Sequence, residues 1–185
     1  MDDVQGRGKA LENLFFGERD QELLQKLKSE LEGKQAREAL AAVSGIENDD
    51  VLEKLLSVGV TPESLSAVSL IPLVTVAWCD ASMESTEQEA ILKAAAAAGI
   101  ENGSASLELL GNWLGERPGD DLLDAWKSYV AVLREKLDET AFTQLKTSVI
   151  NRAENIAESA GGFFGLGSVS DKEKKAIADL AAAFA

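Results

Sequence analysis

A chain of 185 residues, 45% of them apolar, is long enough to enclose a core of its own and too apolar to stay unfolded throughout. Its 32 Asp and Glu against 18 Lys and Arg leave a formal net charge of -14. That balance excludes non-specific attraction to nucleic acid or anionic membranes, and leaves a basic partner, a cation or plain solubility.

Histidine is missing, which removes the usual neutral-pH general base and the commonest transition-metal ligand. Cys79 is the single cysteine, so no internal disulfide can form, and with no histidine to activate it the residue reads as a small core side chain. The opening "MDDVQGRGKALENLFFGERD" lacks the apolar run of a signal peptide. The longest uncharged stretch, Ser64 to Cys79, carries Pro72 and falls short of a membrane span. A cytoplasmic protein without an integral membrane segment is the expectation.

In chain order, Leu11, Leu14 and Phe15, then Leu23, Leu24, Leu27 and Leu31, predict helices over about 7–16 and 19–32, broken at Gly17. A second pair spans about 34–44 and 48–57, with Asn48 or Asp49 as the cap of the latter. Residues 1–58 thus form an N-terminal helical extension packed on a core domain of 59–185. Thr61 suits an N-cap and Pro62 a first helical position. The helix of about 62–79 that follows is apolar around most of its circumference and is expected to be surrounded by others, with a kink or an irregular turn near 68–72 from Pro72. A helix of about 85–98 stops at Gly99. Helices of about 105–114, 120–137, 141–159 and 171–184 complete the chain, with the glycine-rich bend "GGFFGLGS" before the last. Strand-type alternation is lacking. The expected fold is an all-α multi-helix bundle.

Two segments echo each other: "MESTEQEAILKAAAAAG" from Met83 and "VSDKEKKAIADLAAAFA" from Val169. Glu87 matches Glu173, and Ala90-Ile91 matches Ala176-Ile177. In the second copy Ser170 and Glu173 spell S-x-x-E, a capping box preceded by the apolar Val169. In the first, either Glu84 or Ser85 is the cap, and Glu87 suits the positive end of the helix. On this structural reading Asp80 ends the preceding helix or accepts backbone N–H groups across the turn. The alternative groups Asp80, Glu84 and Glu87 as oxygen ligands of Ca²⁺ or Mg²⁺. Their spacing is not that of an EF-hand loop.

The stretch "LVTVAWCDASMESTEQEAILKAA" resembles the motif of the TerB-like helical proteins, the tellurite-resistance B group. That motif runs from small apolar residues through A-D-G to an apolar residue, a cap and a glutamate. Here Ala77, Asp80, Met83 and Glu87 take the matching places, Trp78 and Cys79 stand between the first two, and Ala81 replaces the usual glycine. The resemblance covers about 60–185. It implies an all-helical bundle, an association with stress response and membrane-linked complexes, an acidic face serving a metal or a partner, and no established enzyme chemistry.

Trp78, Trp113 and Trp126 each lie on an apolar helical stripe and read as core, but Trp113, in "GNWLGERPGD", precedes a Gly/Pro bend and is also a candidate aromatic anchor for a protein partner. "GGFFGLGS" does not match a P-loop, because no Gly-Lys-Ser/Thr follows. A carboxylate pair can in principle run a hydrolase, but nothing in the sequence marks the cleft it needs. The reading of the whole is a non-enzymatic acidic module that binds another protein. A Ca²⁺ or Mg²⁺ sensor and a carboxylate hydrolase stand as alternatives, and no cofactor is required.

Overall fold

The structure, a computed structural model, describes residues 25–26, 28–80, 82–160 and 169–185. The expectations placed on residues 7–24, on Leu27 and on "GGFFGLGS" lie outside them. The chain divides into two compact units, 1–39 and 40–185.

In the first unit residues 25–26 and 28–39 are helical (α1). Lys26–Glu30, Lys28–Glu32 and Lys34–Glu38 approach within 4.0, 3.9 and 3.8 Å at helical spacing. All six side chains are well exposed, so each pair adds no more than a few tenths of a kcal/mol, about what solvent screening allows.

In the second unit a helical turn at 40–44 precedes α2 (Asp49–Ser57), a 3₁₀ segment (Pro62–Leu70), α3 (Ile71–Ala77), α4 (Ser85–Ala97), α5 (Ala105–Gly115), α6 (Asp120–Lys136), α7 (Glu139–Ala160) and α8 (Asp171–Ala182). No strand occurs among the described residues. The all-α expectation holds. Among these residues, too, no single helix is long and apolar enough to cross a membrane.

Local chemistry sets the ends. Asn48 and Ser104 accept N–H groups from Val51 and Leu107 with their side chains, each occupying one of the donors a helix start leaves open. At the close of α2, Gly59 N–H reaches Leu56 and Val60 N–H reaches Leu55. Gly99 and Ile100 repeat this on Ala96 and Ala95 at the close of α4. The pattern needs a left-handed residue, and glycine supplies it at φ +86° and +79°. Val60, fully buried beside buried Leu55, locks the first of these turns into the core.

The run expected as one helix over 62–79 is two elements. Pro72 has no N–H to give and its ring crowds the carbonyl four residues back. The backbone answers by tightening: Ile71 N–H bonds to Val68, three residues back, and the α pitch begins only there. The kink is therefore a change of helix type. A second hold on the 3₁₀ segment is a 2.6 Å hydroxyl bond between Ser66 and Ser106 of α5.

Short α3 is the hub, packed against the 3₁₀ segment, α4, α6, α7 and α8. Ile71, Leu73, Val74, Val76 and Ala77 are all buried in it. Trp126, Phe142 and Phe184 close one end of the core, with ring centroids 5.7 Å (Trp126–Phe184) and 5.4 Å (Phe142–Phe184) apart.

Candidate functional site: two capped corners

The corner after α3 begins with Asp80, exposed, whose Oδ1 accepts the Ser82 N–H at 3.2 Å and the Ser82 hydroxyl at 3.3 Å. Asp80 therefore organises the turn on the side chain's own account. Glu84 is the N-cap of α4, so the choice left open between Glu84 and Ser85 falls to Glu84. Glu87 Oε2 accepts the Glu84 N–H at 2.8 Å, the reach-back half of a capping box. Its side chain is 4% exposed.

The second corner is built alike. Ser170 Oγ accepts the Glu173 N–H at 3.2 Å, and the Glu173 carboxylate accepts the Ser170 N–H. Glu173 is 8% exposed, and Val169 packs against the core just before the cap. The motif read at Ser170 is formed in full.

The tertiary structure places the two corners side by side. Burial pushes the Glu87 carboxyl up to about 7, against the lowering pull of the Glu84 N–H, and the charges of Glu173, Asp80 and Glu84 raise it further. Burial likewise pushes the Cys79 thiol up to about 11, with Glu173, Asp80 and Glu87 adding to the shift and Lys172 opposing it. Cys79 thus stands amid carboxylates, an environment that suppresses its thiolate. It has no chemistry of a nucleophile.

Asp80, Glu84 and Glu87 do share one corner, where Asp80 Oδ1 and Glu87 Oε2 each accept a donor of that corner and Glu84 caps α4. Among the described residues no three Asp, Glu, Cys or His side chains stand in an arrangement able to hold a metal ion. Ca²⁺ or Mg²⁺ would find caps here rather than a coordination sphere. Trp113 is 6% exposed, and its carbonyl accepts the Trp78 indole N–H at 2.8 Å. The ring is part of the core and offers a partner no face.

Next to Cys79 lies a pocket of about 160 Å³ bearing Asp120 and Asp179. The echo of Glu87 and Glu173 in the sequence left room for the two corners to pack in a pseudo-symmetric way, and the charge of Glu173 does reach Glu87. The signal was there in the helices of small apolar residues before each corner, which allow close approach. Compared with protein-family models, curated proteins and solved structures, the chain matches none.

Proposed function

We propose that this chain is a non-enzymatic, TerB-like acidic module that binds a basic surface of another protein through its paired corners. The observation that carries the reading is the convergence of the two capping boxes. Glu87 and Glu173 come from helices far apart in sequence, yet the charge of Glu173 reaches Glu87. Exposed Asp80, Glu84 and Glu89 surround the first box, on a chain of net charge -14. A basic partner relieves the repulsion of such a face and is steered to it. The second corner tempers the charge, since Lys174 pairs with Asp171 at 3.6 Å. The partner's basic groups therefore meet mainly the Asp80–Glu89 side. The resemblance of "LVTVAWCDASMESTEQEAILKAA" to the TerB motif is in keeping with this assignment, because in that group an acidic face is suggested as a metal or partner site.

The test is cross-linking of the tagged full chain in native extract, comparing wild type with an Asp80→Lys/Glu89→Lys double variant whose melting curve is unchanged. Wild type is expected to capture a protein with a basic surface at about 0.1 M salt and to release it near 1 M, as the screening length shortens from roughly 10 to 3 Å. The double variant is expected to capture none of it. Equal capture by both forms, or capture indifferent to salt, counts decisively against the reading.

A further inference from the structure

The 3₁₀ segment, α6 and α7 enclose a cavity of about 550 Å³ that the paired corners do not touch. Its size falls in the range of small-molecule sites, roughly 300–1,000 Å³. The walls are apolar: Leu65 and Val68 from the 3₁₀ segment, Trp126 from α6, Leu145 and Val149 from α7, and Phe184. One cation lines it, Arg152 of α7.

Arg152 is half-buried, and that burial lowers its pKa from the ordinary arginine value. In a chain with 32 carboxylates, it makes no ion pair and no hydrogen bond among the described residues. Arg134, also reaching toward Phe184, is by contrast engaged: it donates to the Phe184 carbonyl at 3.2 Å and lies over the Phe142 ring. The one acid of the cavity, Glu63, is turned to Thr61, whose hydroxyl it accepts at 2.9 Å. The unpaired nitrogens of Arg152 reach water, since among the described residues no buried side-chain nitrogen or oxygen lacks a hydrogen-bond partner, and a planar anion can take the place of that water. Half-buried Tyr129, whose burial raises its pKa, also lines the cavity.

We infer that this cavity is a binding site for a small amphipathic carboxylate of the fatty-acid class. The apolar walls take the hydrocarbon body, and the Arg152 guanidinium with the Tyr129 hydroxyl takes the head. A carboxylate matches the planar guanidinium two oxygens to two N–H groups. With one cation and the Glu63 carboxylate both in the lining, a monoanion is repelled less than a doubly charged phosphate. The net charge of the chain opposes anion entry in general, so only a ligand with enough apolar surface to offset that repulsion will stay.

The experiment is calorimetric titration of the full chain with dodecanoate, dodecyl phosphate and dodecanol, each below its micelle-forming concentration. Wild type is expected to bind dodecanoate more tightly than the other two. Arg152→Met, which keeps the length of the side chain and removes its charge, is expected to weaken dodecanoate by about tenfold or more, the worth of a hydrogen bond to a charged group. The same variant is expected to change dodecanol binding by less than about twofold, since the alcohol never used the charge. Val149→Trp and, separately, Leu65→Trp fill the cavity and are expected to abolish binding in whichever of them keeps a cooperative melting curve. No dodecanoate binding by wild type overturns the inference, as does undiminished affinity in Arg152→Met or in a folded cavity-filled variant. Tighter binding of the phosphate overturns the choice of head group.

Discussion

At the scale of single residues, Glu87 shows how one side chain can serve a fold and tax it together. Its carboxylate caps α4, yet burial and the neighbouring acids hold its pKa near 7 rather than 4.5. The sign of the consequence follows from proton counting. Below about 4.5 the folded and unfolded chains both hold the proton, and Glu87 is neutral in the balance. Between about 4.5 and 7 the folded chain keeps a proton the unfolded chain has lost, so stability falls as pH rises, and above 7 the cost is constant. Glu87→Gln retains an acceptor for the Glu84 N–H and has nothing to titrate. Its melting temperature relative to wild type is expected to rise between pH 5 and 7 and then level, with the pH range taken from the shift itself; a flat difference across that range refutes the assignment. Cys79 gives a second measurement. With its pKa near 11, only about one thiol in a thousand is ionised at pH 8. Its alkylation by iodoacetamide in the folded chain is expected to be at least about a hundredfold slower than in urea, where an ordinary thiol pKa returns.

At the scale of elements, most boundaries are read from short-range chemistry, because caps and glycine stops act within one turn. Ser170 illustrates it. The S-x-x-E pattern named the start of α8, and the structure forms both of its bonds. Ser170→Ala is expected to cost about 1 kcal/mol in urea unfolding with no change of slope. Where the element reading stopped short was Leu70 to Pro72. The proline announced a break, but a break alone does not say whether the chain bends within an α-helix or changes helix type. That choice depends on what holds the preceding residues: here Ser64 accepts the Thr61 N–H at 2.8 Å and Ser66 reaches Ser106 of α5. The second of these contacts is long-range in sequence and invisible to any local pattern.

At the scale of the whole molecule, the aromatic end of the core joins stability to the cavity. Trp126 is 3% exposed, in an edge-on contact with Phe184. Trp126→Ala is expected to lower unfolding free energy by about 3–5 kcal/mol, and a loss under about 1 kcal/mol in denaturant titration excludes the ring from the core. The helical class, the capped starts and the apolar stripes were legible in the sequence because periodicity and caps are local properties of the chain. Arg152 was passed over, because its spacing from Leu145 and Val149 does not show whether an acid faces it. Three matters belonged to the tertiary structure alone. It decided between the two readings of Trp113, core stripe and partner anchor, in favour of the core. It set Glu87 against Glu173, and it opened a cavity beside Arg152. Each depends on distances between residues remote along the chain, and those are decided by how helices pack, which no stretch of sequence carries by itself.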